Sequence, residues 1–470
     1  MVLHYYCNLM NLNEFAGTSK GVSSIGLDVN NCVDSKLRSS IEAITSWYII
    51  GAIKNILISQ NPKLLDTYKT EMEHLLCLTH MELNGIGVSL PILQHLVDSL
   101  KMQCLALERQ AFSLTGRRFS FTSSKEVGKV LGLYKGNKVS TSKEVLEKID
   151  NPIAKIIIQW RKLNSTLNRM LYPLIRMVQN DRIHGTCITH SATGRISMHE
   201  PNLQNIPRNF EIVNPISNEE LLISCRDAFV APKGCLLLSA DYCQLELRLL
   251  AHLSGDKTLC SIMRTNEDVF KSIAAKSNNI NESEVTDTLR QRAKQICYGI
   301  IYGMGIKALA EQLSVNEEEA LEFVETFHSK YPGIKKFINE VISKCKELGY
   351  VETLAGRKRF LPNIKNENVT DRSQAERQSV NTTIQGSAAD IAKKAVILIT
   401  CNFKRKFKSQ CPKLVLQLHD EFLFEVHENN LKQSAQILKK SMENAVSLPI
   451  PFPIKLKYGH SWGKMNEMIL

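Results

Sequence analysis

Leu414-Val-Leu-Gln-Leu-His-Asp420-Glu421-Phe-Leu-Phe-Glu-Val426 sets a His-Asp-Glu cluster between two apolar runs. Short apolar runs around polar turn formers read as strands, so the stretch predicts two strands around a tight turn. A second run of this kind, Cys235-Leu-Leu-Leu-Ser-Ala-Asp241, is followed by Tyr242-Cys-Gln244-Leu-Glu246-Leu-Arg248. Asp241 and Asp420 each stand at the end of an otherwise apolar strand. Two carboxylates from distant parts of a chain are what a two-metal phosphoryl-transfer site requires. Magnesium takes oxygen ligands, usually only one or two of them protein carboxylates. A lone Asp at a strand end is more simply a turn former; the residues around these two favour the chemical reading.

Between them lies Arg290-Gln-Arg-Ala-Lys294-Gln-Ile-Cys-Tyr298-Gly-Ile-Ile-Tyr302-Gly303. Arg290, Lys294, Tyr298 and Tyr302 recur at every fourth position, a stripe along one side of a helix that drifts about 40° per step. Two cations and two rings suit a nucleoside triphosphate, the cations on phosphate and a ring on sugar or base. An amphipathic helix with a solvated basic end is the commoner origin of such a stripe. Gly299 weighs against it, since glycine inside a helix costs about 1 kcal/mol relative to alanine and marks a close backbone approach.

Lys+Arg 59 against Asp+Glu 47 leaves a formal net charge of +12. Such an excess attracts phosphate backbones, although it fits other anions too. With 470 residues, 43% of them hydrophobic, the chain can bury more than one core. The 13 Cys are scattered, with no Cys-x-x-Cys and no zinc spacing, and read as reduced thiols. No run is long and apolar enough to span a membrane, and no membrane partner is expected. The N-terminus has no basic start followed by an apolar stretch, and no Arg precedes Arg38.

Residues 1–40 show no clear period. Ser40 to Leu78 reads as helix, with Ile41, Ile44, Trp47, Ile50 and Ile53 near one face. Another helix is predicted from Pro91 to Leu114, with Ser89 at its start and Gly116 at its end. Thr122-Ser-Ser-Lys-Glu-Val and Thr141-Ser-Lys-Glu-Val each read as a hydroxyl N-cap followed by Lys, either ordinary capping or a phosphate-binding helix start. A longer helix from Ile153 to about Met177 carries Trp160, Arg161, Lys162 and Arg169. From Ile183 to Pro207 the chain is turn-rich and dense in Arg, Asn and Gln, which suits polar readout of a substrate. Residues 257–370 read as mostly helical, broken at Gly356-Arg-Lys-Arg359. Asp371 to Thr400 reads as helix, with Arg377, Asn381 and Gln385 one turn apart.

These segments together resemble family A DNA polymerases, the group of bacterial DNA polymerase I. The likeness runs from about Glu71 to the end. It rests on Thr-Gly-Arg195, Pro201-Asn-Leu-Gln204-Asn-Ile-Pro207, Asp241-Tyr-x-Gln-x-Glu-Leu-Arg248, the Arg290–Gly303 stretch, Gln385-Gly-x-Ala-Ala-Asp390 and Gln417-x-His-Asp-Glu421. Within the family the wording is most similar to the animal theta branch, as in Leu83-Asn-Gly-Ile-Gly87 and Phe119-Ser-Phe-Thr-Ser-Ser124.

The resemblance implies an α+β right hand of thumb, palm (antiparallel sheet with helices) and helical fingers. The expected boundaries are a tail and exonuclease-like remnant at 1–75, thumb at 76–180, palm at 181–256 and 371–470, and fingers at 257–370. It implies a nucleotidyltransferase that adds dNTPs to the primer 3′ end of primer-template DNA with two magnesium ions, manganese being a substitute. By that likeness Asp241, Asp420 and the Tyr242 carbonyl hold the metals and Glu421 assists them. Glu246, Arg290, Lys294, Tyr298, Tyr302 and Gln244 meet the dNTP; Lys294 belongs with the catalytic set. Arg195, Gln204, Arg377, Asn381, Gln385 and His419 lie near the duplex or primer end. Theta likeness implies a nuclear repair enzyme acting in end joining or translesion synthesis. The stretches where insertions are expected, around Tyr134–Lys138, Asn363–Thr370 and Lys404–Lys413, are short and count against those two activities. Cys243 stands where Ser is usual, a tolerated change. About 70 N-terminal residues without an Asp-x-Glu pair predict no proofreading.

Two rivals are weighed against a polymerase. A DNA-binding remnant of low activity has no need of both carboxylates with Arg290, Lys294 and Tyr298. A single-subunit RNA polymerase is disfavoured by Glu246 and by Gln417-x-His-Asp-Glu421.

Overall fold

Strand β1, Cys235–Tyr242, is the middle of a five-stranded sheet, and its apolar run reflects cover on both faces. Leu237, Leu238, Ser239, Ala240 and Tyr242 are all buried. The computed structural model describes residues 35–133, 140–213, 220–265 and 268–470. Residues 1–34 of the expected tail and remnant, and the first expected insertion, Tyr134–Lys138, lie outside them. The other strands are β2 (Lys413–Leu418), β3 (Glu421–His427), β4 (Ile454–Ser461) and β5 (Lys464–Met468). The order is β2-β3-β1-β4-β5, antiparallel throughout. The predicted pair of strands at Leu414–Val426 is therefore a hairpin, closed by His419 and Asp420 with Leu418 opposite Glu421. His419 has φ +57, a left-handed conformation that tight hairpin turns require and that most side chains resist.

Side chains alternate across a strand. On one face Tyr242 reaches the helix Leu431–Glu443, its hydroxyl donating to the Met442 carbonyl at 2.7 Å. Ser239 Oγ and Glu421 Oε1 meet at 2.6 Å, and Ser239 and Asp241 share one face of β1. Truncating the fully buried Leu237 or Leu238 to Ala should cost about 2–5 kcal/mol.

The helix Asp287–Ile301 starts at Thr286, whose hydroxyl accepts from the Leu289 amide. It buries Ala293, Ile296, Cys297 and Ile300, and ends at Tyr302 and Gly303, the latter at φ +63. Gly299 is packed as its position suggests: a Cβ there would come 3.1 Å from Leu309 Cδ1. The helix Val369–Lys406 runs for 38 residues and is buried without interruption from Thr382 to Lys393. Between these helices a small hairpin, Tyr350–Glu352 with Lys358–Phe360, forms at the predicted break.

The helix Leu90–Thr115 has the expected Ser89 start and a left-handed Gly116 after it. The helix predicted from Ile153 to Met177 is instead Pro152–Thr166, a wider π turn at Leu167–Leu171, and Tyr172–Arg176. Pro173 has no N–H to donate to the preceding turn, and that gap accompanies the widening. The helix Ser124–Leu131 takes Ser123 as its cap, accepting from the Glu126 amide. Ser142 makes no such bond before Lys143–Glu147; Thr141 instead accepts from Arg161 through its hydroxyl and its carbonyl. Arg161 also donates to the Phe121 carbonyl, and Lys162 lies over the Phe210 ring at 4.3 Å. Both cations are thus engaged within the protein.

The described residues up to Met72, with Leu354–Arg357, form one compact unit and the other described residues form another. In the first, a helix Ser35–Gln60 precedes one that begins at Pro62. The single helix expected from Ser40 to Leu78 is interrupted because a residue before proline disfavours helical ψ. Thr67 Oγ1 donates to the Ala355 carbonyl and Arg357 pairs with Glu71.

Candidate active site

The register of the sheet, rather than any local motif, assembles the acidic residues. Asp241 lies directly across from Glu421 on β3 and from Lys455 on β4. Asp420 is joined to the same strand end, because the Tyr242 amide faces the Asp420 carbonyl at 3.4 Å. Burial raises the pKa of Asp241 to about 7, helped by Asp420 and then Glu421, with Arg208 and Lys457 pulling the other way. Asp420 is raised too, by burial first; its own backbone amide and Arg195 oppose this, and Glu421 adds to it. Among the described residues no cluster of three or more His, Cys, Asp or Glu stands ready for a metal. The donors present are carboxylate and carbonyl oxygens that repel one another. Such a set fits a hard divalent cation that takes its remaining ligands from water and phosphate.

Arg195 pairs with Glu246. Glu246 is 8% exposed, and its other oxygen, Oε2, has no hydrogen-bond partner. Both residues line a pocket with Gln417, His419, Asp420 and Ala388. Burial lowers the Arg195 pKa, while Tyr302 and Asp420 push it up. Gln244 adopts φ +52 just before the helix Leu245–Ser254 that carries Glu246.

The helix Asp287–Ile301 brings its stripe toward this pocket from the ring end. Burial, then Tyr302, then Asp420 push the Tyr298 phenol up to about 12, with Asp241 a smaller contributor. The Tyr298 and Tyr302 rings stack at 6.0 Å, and Phe270 lies 6.0 Å from Tyr298. Lys294 and Arg290 follow along the helix, about 6 Å of axial rise per step. Arg290 Nε donates to Asp268 Oδ2 at 2.8 Å. Lys294 is exposed, its Nζ 6.0 Å from the Phe270 ring centre.

The residues predicted to meet DNA divide. Gln204 is turned inward, its amide donating to the Gln417 carbonyl at 3.0 Å. Gln385 is 7% exposed on the long helix. Asn381, one turn earlier, has a buried Oδ1 without a partner. Arg377 is exposed beside Gly303, where a Cβ would come 2.8 Å from Arg377 Cγ. Sequence reasoning missed a basic cleft beside Asp241 and Glu421, lined by Arg208, Arg226, Lys455 and Lys457. The signal was present: Lys455 and Lys457 alternate along β4, and Arg208 directly follows Pro207. Arg226 donates to the Ile206 carbonyl and lies 4.0 Å over the Trp462 ring, bracing the segment before Arg208.

The pattern that describes DNA polymerase family A matches residues 91–464. DNA polymerase theta of Drosophila melanogaster is 42% identical over 97% of this chain, which spans 23% of that protein. DNA polymerase theta of Mus musculus is 35% identical, with 97% of this chain and 22% of that protein covered. DNA polymerase I of Bacillus caldotenax is 33% identical over 90% of this chain and 50% of its own length. The chain thus spans half or less of each of these relatives. A solved structure, the polymerase domain of Pol1 from M. smegmatis in complex with DNA primer-template and dNTP, aligns with a TM-score of 0.83 and 29% identity. It covers 98% of this chain and 81% of its own, in keeping with the expected α+β right hand.

Proposed function

The chain belongs to DNA polymerase family A, and on that premise we propose that it extends the 3′ end of a DNA primer with dNTPs on a DNA template by a two-metal mechanism. One observation carries the reading: Asp241 and Asp420 stand at one strand end, both raised chiefly by burial, Asp241 further by Asp420 and both by Glu421, beside the ring end of the Arg290–Tyr302 helix. A pair of divalent cations, magnesium or in its stead manganese, supplies charge neutralisation for in-line phosphoryl transfer when bound. Asp241, Asp420 and the Tyr242 carbonyl would hold them.

The remaining work falls to the chain's own side chains. Lys294 and Arg290 bind the triphosphate, whose charge they match along one helix side. Tyr298 packs against the incoming sugar and Tyr302 against the templating position. Glu246 fills the space of a 2′-hydroxyl. Arg195 leaves Glu246 to contact the primer end as the duplex enters, and the basic cleft at Arg208, Lys455 and Lys457 receives nearby backbone phosphates. Glu421, held by Ser239, tunes the field at Asp241 without being a ligand. Arg377, Asn381, Gln385 and His419 line the duplex, and Gln204 supports the strand end from beneath. The thumb, palm and fingers boundaries given above are proposed with this reading. Likeness to the theta relatives supports a nuclear repair role.

The deciding experiment compares dNTP and NTP addition to a primed template. Efficient dNTP addition supports the proposal. Preference for NTPs would favour an RNA polymerase, and tight DNA binding with no addition of either would favour a remnant.

A further inference from the structure

The Gln417 side chain faces two ways. Its Nε2 donates to the His419 carbonyl at 3.3 Å, and its Oε1 lies 3.3 Å from Nε2 of His74. An amide nitrogen only donates and an amide oxygen only accepts. The first contact therefore settles the second: His74 Nε2 carries a proton and donates it to Gln417. His74 is 1% exposed and Gln417 2% exposed, so the link is closed to water. It joins the helix Pro62–Asn84 to the end of β2 across 343 residues of chain. The carbonyl it holds belongs to His419, the turn residue with φ +57 that immediately precedes Asp420. The main chain of Gln417 is held as well, by the Gln204 amide.

We propose that His74 is a positioning residue for the catalytic turn. Acting through the Gln417 amide, it fixes the His419 carbonyl and with it the direction in which Asp420 leaves the turn. A left-handed non-glycine residue persists only where its surroundings over-determine it, and here a buried donor-acceptor chain supplies the constraint. Removing the donor leaves a buried amide oxygen unpaired, which the structure relieves by turning the amide and releasing His419. The role rests on the polymerase reading given above.

The test is single-turnover dNTP addition to a primed template, with a magnesium titration and primer-template binding measured on the same folded protein. His74→Leu should slow addition about tenfold and raise the magnesium concentration for half-maximal rate several-fold, with DNA affinity changed less than twofold. His74→Gln restores an N–H donor at similar reach and should return the rate to within about threefold of wild type. A donor needed only for folding would alter melting and leave the rate and magnesium dependence of the folded fraction unchanged. His74→Leu as fast as wild type per folded molecule, or His74→Gln no faster than His74→Leu, overturns the inference alone. A wild-type chain that adds no nucleotide removes the polymerase reading and the inference together. Should His74→Leu fail to fold, Gln417→Met breaks the same link from the other end and is judged by the same outcomes.

Discussion

Arg195 holds one oxygen of Glu246 and leaves the other buried without a partner. A half-satisfied carboxylate is costly to keep out of water, so something else is expected to complete it. If Glu246 bars a 2′-hydroxyl by volume, Glu246→Gln, which keeps the volume and drops the charge, should leave the dNTP:NTP efficiency ratio within about threefold of wild type. Glu246→Ala should lower that ratio at least tenfold. An unchanged ratio in the alanine variant would put the sugar gate elsewhere.

Asp241→Asn and Asp420→Asn should each abolish nucleotide addition while primer-template affinity stays close to wild type. Near-normal single-turnover addition by either variant would overturn the metal-site assignment.

The Asp241 variant should also melt differently. In the wild-type fold, burial first and then Asp420 raise the Asp241 carboxyl from an ordinary 3.8 to about 7. A raised carboxylate binds its proton more tightly in the folded state, so metal-free stability is present at low pH and declines as pH rises from about 4 to about 7. At pH 8 without metal, Asp241→Asn should therefore melt above wild type, by about 1–3 °C. The gap should narrow as pH is lowered toward 5. Thermal melts in a chelator at the two pH values check the sign.

Lys294→Ala should raise the dNTP concentration for half-maximal rate more than Arg290→Ala does. Arg290 is already matched by Asp268 at 2.8 Å, whereas Lys294 makes no ion pair among the described residues. The reverse order in steady-state titrations would mean that Asp268 lets go of Arg290 when nucleotide arrives.

Tyr298→Phe keeps the ring stack with Tyr302 and removes only the hydroxyl. Dideoxynucleotides should then be used less well relative to dNTPs, by about tenfold or more. Equal use by both versions would count against Tyr298 standing at the sugar.

The strands at Asp241 and Asp420, the stripe from Arg290 to Tyr302 and the packed Gly299 were legible because each is written within a few residues. What escaped was written across long separations. That Arg195 would meet Glu246, that Gln204 would turn inward to Gln417, and that Lys455 and Lys457 would face Asp241 all depend on which distant loops, helices and strands become neighbours. A single chain's periodicity reports faces and turns, and pairing partners leave no mark in it. The broken helix at Asn61-Pro62 and the π turn before Pro173 had a local signal, proline, that helical spacing alone overrides.

The placement of β1 sets a timetable for the ribosome. Ser239 of β1 meets Glu421 of β3 across 182 residues, and both of its strand neighbours are made after it. At 5–20 residues per second the strand waits roughly 10–35 s for its first partner. Through that interval the nascent chain carries an unpaired, strongly apolar edge that can pair wrongly. Slowing translation should therefore favour aggregation over folded product.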